Sequence, residues 1–161
     1  MGKEHNIIKR MSYDARIDAA AQVEYQAQLK FRAEIRGKLI LEPARLALEI
    51  IQKELFWAGL RTRPIRFNTD EWSGNGIFFF RHGGIESQRY EMKALRWTKP
   101  GIYFIAYLDE YNVPHLTAYV YQRHGNSISQ GPTYKIGSVL EKTPEQIVPL
   151  LHEAIRYCLY S

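Results

Sequence analysis

An α+β fold is predicted from two changes of periodicity along this chain of 161 residues. Apolar residues recur with helical spacing over residues 13–58, alternate with polar residues between about residues 76 and 140, and return to helical spacing near the end. We therefore expect two N-terminal helices, an antiparallel β-meander of about five strands, and a C-terminal helix packed on the sheet. A single domain of residues 1–161 is predicted, in which residues 1–12 are disordered or frayed.

The N-terminal helical region contains a stop signal and a start signal. Apolar residues recur at every fourth position from Ile17 to Leu29, and Gly37, a residue that often ends helices, follows. Pro43 is well suited to the first turn of a second helix. Apolar residues on several sides of residues 43–58 indicate that this second helix is buried on more than one side.

Strands are predicted at residues 76–82, 87–97, 101–109, 115–123 and 134–140. Short turns rich in Gly, Pro or Asn separate them, so that consecutive strands become antiparallel neighbours. The closing helix begins at the capping box Thr143-Pro-Glu-Gln. The predicted core contains Leu48, Ile51, Leu55, Phe104, Leu108, Leu116, Val120, Ile147, Leu151 and Ile155.

One face of the predicted sheet is rich in tyrosine. In residues 101–109 and 115–123 the even positions are mostly apolar, whereas the odd positions are mostly aromatic or polar. The predicted interaction face consists of Arg89, Tyr103, Tyr107, Tyr119, Tyr121 and Arg123. Such a face can stack bases, bind phosphates or contact a protein partner, unless the N-terminal helices cover it.

The positive charge is concentrated in the first part of the chain. The chain has 22 Lys and Arg and 17 Asp and Glu, and the whole surplus of +5 falls in residues 1–66. Polyanions are attracted to such a surplus. The residues predicted to bind nucleic acid are Arg32 and Arg36 on the first helix, and Arg61, Arg63 and Arg66 in the connector that follows the second.

Two function classes follow from the charge and from the tyrosine face. The leading hypothesis is a non-enzymatic binding protein that acts on nucleic acid or on a nucleic-acid-bound protein. The alternative is a protein-interaction or inhibitor module, or a homodimer, that uses the tyrosine face. No cofactor and no membrane association are expected, because phosphate-binding glycine motifs and long apolar segments are absent from the sequence. With Cys158 as the single cysteine, a reducing, cytoplasmic location is expected.

A further alternative is a small nuclease. The segment Tyr90-Glu-Met-Lys resembles the ExK strand of the PD-(D/E)xK nucleases, in which two carboxylates hold a divalent metal and the lysine assists the attacking water. The resemblance implies a site with Mg²⁺ or Mn²⁺ that is formed by Asp70, Glu91 and Lys93. Asp70 lies 21 residues before Glu91, in a segment expected to be a loop.

Two other enzymatic interpretations rest on histidines. The segment Pro114-His-Leu-Thr is similar to one HxT motif of the 2H phosphoesterases, a family that needs two such motifs, and this sequence has one. A metal-independent ribonuclease would combine Glu91 as base, His124 as acid, and Arg89 or Arg123 as a phosphate clamp.

Overall fold

The computed structural model describes residues 2–71, 85–95, 100–124 and 127–160, and it has helices and an antiparallel sheet, which confirms the α+β class. The predicted strand at residues 76–82 lies outside the described residues. The elements are α1 (Gly2–Trp57), β1 (Arg61–Thr62), β2 (Arg66–Glu71), β3 (Ile85–Leu95), β4 (Gly101–Leu108), β5 (Pro114–His124), β6 (Ser127–Ser138) and α2 (Pro144–Tyr160).

One continuous helix, α1, takes the place of the two predicted N-terminal helices, so the predicted break was wrong. Gly37 is buried within the helix, where a Cβ would collide with the side chain of Gln88 on β3. Glycine at this position allows close approach of helix and sheet and does not terminate the helix. Pro43 removes one backbone hydrogen bond, and the helix continues because Leu41 and Ala44 beside it are buried against the sheet.

The N-terminal half of α1 extends beyond the sheet. The helix includes residues 2–12, and every side chain of residues 2–28 is exposed. Buried positions begin at Gly37 and continue to Leu55. Neither of the two described helices is both long and apolar enough to span a membrane.

The sheet contains six strands among the described residues, rather than about five. Their order is β1–β3–β4–β5–β6, and β2 also pairs with β3. β1 and β2 lie along the same side of β3, with Arg61 opposite Leu95 and Arg66 opposite Glu91. The segment predicted as a basic connector is thus an interrupted edge strand, and Pro64 is tolerated between its two parts because an edge strand needs fewer backbone donors.

Both helices pack on one face of this sheet. Met92, Phe104 and Leu116 of the sheet are fully buried in one cluster with residues of both helices, such as Leu48 and Ile147. Eight of the ten predicted core residues are buried, and the other two, Leu108 and Ile155, pack against the cluster while partly exposed.

The helix ends follow local sequence signals. α1 ends in a Schellman motif, in which Gly59 has a φ of 87° and Leu60 N donates to Leu55 O at 3.0 Å. The predicted capping box of α2 is confirmed: Gln146 N donates to Thr143 Oγ1 at 3.3 Å, and Thr143 N donates to Gln146 Oε1 at 3.0 Å.

We expect Gly37→Leu to lower the free energy of unfolding by about 1–3 kcal/mol, because the new side chain needs the space that Gln88 occupies. Urea unfolding of the full chain measures the change. In a Gln88→Ala background the same substitution should cost much less, since the space is vacated. An equal cost in both backgrounds would show that the close approach at Gly37 is not the cause.

Candidate functional site

The tyrosine face of the sheet lies opposite the face that the helices cover. Tyr103 pairs with Tyr119, and Tyr107 pairs with His115, on the side away from the core cluster. These side chains and Tyr121 are half-buried rather than enclosed. No element of the described chain packs over them, so the helices leave this face open.

Glu91 is the centre of a hydrogen-bonded cluster on the tyrosine face. Arg89 Nε donates to Glu91 Oε1 at 2.6 Å, and Asn68 Nδ2 donates to Glu91 Oε2 at 2.7 Å. The hydroxyl of Tyr103 donates to the same carboxylate. Lys93 Nζ lies 5.0 Å from the centroid of the Tyr103 ring. The carboxylate is therefore surrounded by donors and positive charge.

The cluster fixes the protonation states of its members. Burial opposes ionisation of Glu91, but hydrogen bonds from Arg89 and Tyr103, and the charges of Arg89 and Lys93, outweigh it and hold the pKa of this carboxyl below its ordinary value. Burial, and then the hydrogen bond to Glu91, raise the pKa of Tyr103. At neutral pH Glu91 is thus a charged acceptor, which suits it to holding the cluster together and makes it a weak general base.

The pairing of β2 with β3 brings part of the basic connector onto the tyrosine face. Arg66 lies opposite Glu91, and Asn68 lies opposite Arg89. Side chains of directly paired residues in antiparallel strands project from the same face. Arg66, which is exposed, therefore stands beside the Glu91 cluster.

Arg63 is held between the helix and the sheet. Its backbone NH donates to the carbonyl of Lys93 at 2.8 Å, and its carbonyl accepts from Gln52 Nε2 of α1 at 2.7 Å. The side chain of Arg63 is exposed. Arg61 lies opposite Leu95 at the same edge of the sheet. Anchoring of the backbone on both sides leaves the cationic side chains available at a fixed place.

These residues form an open cleft of about 250 Å³ at one end of the tyrosine face. It is lined by Arg63, Pro64, Arg66, Asn68, Glu91, Lys93, Leu95 and Tyr121. Three cationic side chains and one carboxylate line the cleft, and the carboxylate is paired with Arg89 just outside it. The cleft therefore offers net positive charge beside the aromatic ring of Tyr121.

Other predicted binding residues lie apart from this cleft. Arg32 and Arg36 are exposed on α1, which packs on the opposite face of the sheet. Arg123 and His124 lie at the end of β5, with their backbones opposite Ile128 and Ser127, and their side chains are outside the described part of the structure. The sheet thus unites the connector with the tyrosine face, but it does not unite the helical arginines with either.

The register of β2 separates the backbone positions of Asp70 and Glu91, the two acidic residues of the nuclease alternative. Asp70 lies on β2 rather than in the expected loop, and its backbone is opposite Ser87. Ser87 is four residues along β3 from Glu91, which corresponds to about 14 Å at 3.4 Å per residue. Carboxylates that share one cation must each approach it within about 2.6 Å. Among the side chains that the structure describes, no three potential metal ligands cluster together.

His115, the histidine of the HxT motif, braces a turn. Its Nε2 lies 2.8 Å from Asp109 Oδ2, and its ring stacks on Tyr107 with a centroid separation of 5.5 Å. Asp109 Oδ1 accepts from the backbone NH groups of Tyr111 and Val113 at 2.8 and 2.9 Å. These contacts give His115 a structural role at the β4–β5 turn.

Sequence reasoning missed three residues of the cleft, Pro64, Asn68 and Leu95. The alternation of Ile65 and Phe67 with Arg66 and Asn68 was the available signal, because it has the period of a strand. Comparison of the chain with known protein families, curated proteins and solved structures finds no match. The chemistry of the cleft is therefore inferred from its own geometry.

Glu91→Gln is expected to lower the free energy of unfolding at neutral pH by about 1–3 kcal/mol, because it removes charge-assisted hydrogen bonds from a half-buried cluster. Since the folded-state pKa of Glu91 is depressed, its stabilisation is present above the unfolded value of about 4.3 and is lost as pH falls through the folded value. The gap between wild type and variant, from urea unfolding, should therefore shrink from neutral pH to about pH 3.

Glu110→Gln provides the matched control, since Glu110 is an exposed carboxylate in the β4–β5 turn. We expect this control to change stability by less than about 0.5 kcal/mol at either pH. If the difference in free energy of unfolding between wild type and Glu91→Gln stays constant on acidification, the assignment of Glu91 as a charged hydrogen-bond acceptor is contradicted.

Proposed function

We propose that this protein is a non-enzymatic binding protein for single-stranded nucleic acid, which it binds across the tyrosine face of the sheet. The observation that carries the proposal is the cleft that Arg63, Arg66 and Lys93 line together with Tyr121. A single strand presents phosphates and unstacked bases together, and binding proteins meet these with cations and aromatic rings on one surface.

The size and openness of the cleft favour a chain-like ligand. Its volume of about 250 Å³ is below the roughly 300–1,000 Å³ typical of pockets for drug-sized ligands and cofactors. The cleft therefore suits one unit of a longer polymer, and neighbouring units can continue over the half-buried rings of Tyr103 and Tyr119.

The electrostatics of the cleft agree with an anionic ligand. Glu91 is the one carboxylate in the lining, and the hydrogen bond of 2.6 Å from Arg89 offsets its charge. Arg63 and Arg66 are exposed, so their guanidinium groups can reach the phosphates of a ligand. The nuclease alternative lacks comparable support, because the register of β2 places Asp70 far from Glu91.

A comparison of two charge-removal variants tests this proposal. We expect Arg63→Gln with Arg66→Gln to weaken binding of an oligonucleotide of about 12 nucleotides, within the span of about 4–16 nucleotides of one binding fold. The slope of log affinity against log salt, which is negative, should decrease in magnitude by about 1.4, since each lost phosphate contact contributes about 0.7 for single strands. Fluorescence anisotropy across a salt titration measures both.

Arg32→Gln with Arg36→Gln is the matched control, because it removes the same charge from exposed positions on α1. This control should leave affinity and salt slope close to wild type. Equal losses in both variants would indicate diffuse attraction, and no binding at low salt would reject the proposal. Degradation of the oligonucleotide with Mg²⁺, abolished by Glu91→Gln, would instead support the nuclease alternative.

Tyr121 is expected to stack on a base. Tyr121→Leu should weaken binding by about 1–3 kcal/mol, whereas Tyr121→Phe, which keeps the ring, should stay near wild type. Equal affinities for the Leu and Phe variants would contradict base stacking and favour a ligand recognised by charge alone, such as an acidic protein.

A further inference from the structure

The outward side of α1 carries apolar residues that no other described residue covers. We define the outer stripe as the residues Leu39, Glu42, Leu46, Ile50, Lys53 and Trp57, which follow one another at spacings of three or four. Its four apolar side chains are 37–84% exposed. On the other side of the same helix, Leu41, Leu48 and Ile51 are fully buried against the sheet.

This arrangement differs from that of an ordinary surface helix. A helix that packs on a protein through one face normally presents charged and polar residues on its other face. The apolar pattern of residues 43–58 predicts burial on more than one side, and the described part of the protomer buries only one. The exposed side therefore has the composition of a contact surface.

The apolar residues of the outer stripe are arranged symmetrically about Leu48. Leu46 and Ile50 are each two residues from it, and Leu39 and Trp57 are each nine residues from it. A second copy of the helix that runs in the opposite direction therefore brings Leu46 opposite Ile50 and Leu39 opposite Trp57. In a two-fold interface every such contact occurs twice.

The charged residues of the outer stripe select the same antiparallel direction. Glu42 lies six residues before Leu48 and Lys53 lies five residues after it, so antiparallel copies place Glu42 opposite Lys53 on both sides of the centre. Parallel copies would place like charges opposite each other, which is unfavourable. Glu42 already pairs with Arg45, yet its side chain is 42% exposed and its carboxylate can accept further hydrogen bonds.

We propose that the outer stripe is a dimer interface on which a second copy of this chain packs antiparallel. The two-fold axis passes through the outer stripe at the level of residue 48 along the helix. The contact extends over the 19 residues from Leu39 to Trp57, a rise of about 27 Å along the helix. The interface consists of two Leu46–Ile50 pairs at the centre and one Leu39–Trp57 pair at each end. A Glu42–Lys53 ion pair lies between the centre and each end. The proposal is independent of the ligand of the tyrosine face, which lies on the other side of the sheet.

The mass of the full chain in solution is the first test. We expect light scattering to give twice the chain mass of 18.8 kDa, and Leu46→Glu with Ile50→Glu to give the monomer with an unchanged circular dichroism spectrum. Both residues are exposed in the protomer, so the fold should survive. The matched control, Tyr111→Glu with Leu140→Glu, replaces two exposed apolar residues elsewhere and should remain dimeric.

Charge reversal is the second test. Lys53→Glu should weaken the dimer by about tenfold or more, because it faces Glu42 of the other copy. Adding Glu42→Lys should restore dimerisation. A dimer that is unaffected by Lys53→Glu, or one that Glu42→Lys fails to restore, would overturn the proposed register.

Crosslinking determines the direction of the helices. In a Cys158→Ser background, a mixture of Leu39→Cys and Trp57→Cys chains should form heterodimers with a short bismaleimide. Leu39→Cys alone should remain uncrosslinked, because the two sulfurs would be about 27 Å apart. Efficient crosslinking of Leu39→Cys alone would indicate a parallel dimer and overturn the proposal, as would a monomeric wild-type chain at all concentrations tested.

Discussion

The pairing of β2 with β3 is the constraint on which the rest of the arrangement depends. On the core side it brings Phe67 against Tyr90, with ring centroids 5.0 Å apart, and Lys38 Nζ of α1 lies 5.0 Å from the centroid of Phe67. On the other side it brings the amide of Asn68 to the carboxylate of Glu91 at 2.7 Å. One short edge strand thus connects the helix, the core and the tyrosine face. Without this register Arg66 and Asn68 would have no fixed place beside Glu91.

The two faces of the sheet are stabilised in different ways. The apolar face receives both helices and buries large side chains such as Phe104 and Leu116 completely. The tyrosine face is stabilised by mutual contacts instead, in particular by donors around Glu91 and by the Tyr103–Tyr119 pair. Both described helices occupy one face, and no described helix packs on the other. The outer side of α1 is likewise not covered by any described residue.

The sequence predicted those features that depend on local periodicity, and it failed where long-range packing decides. Alternation in residues 101–109 and 115–123 separated core from tyrosine face correctly, because neighbouring positions of a strand face different environments. Gly37 and Pro43 were interpreted as a helix break, although burial against the sheet outweighs their local preferences. The cleft could not be predicted, since strand register, which brings Arg66 opposite Glu91, is a property of the folded sheet.

Chemical-shift mapping of the full chain with a short single-stranded oligonucleotide reports where the ligand lies. It is therefore the most direct test of binding at the tyrosine face. We expect the largest changes at Arg63, Arg66, Lys93 and Tyr121, which line one cleft. Changes confined to the exposed half of α1 around Arg32, with the tyrosine face unaffected, would contradict binding at this cleft.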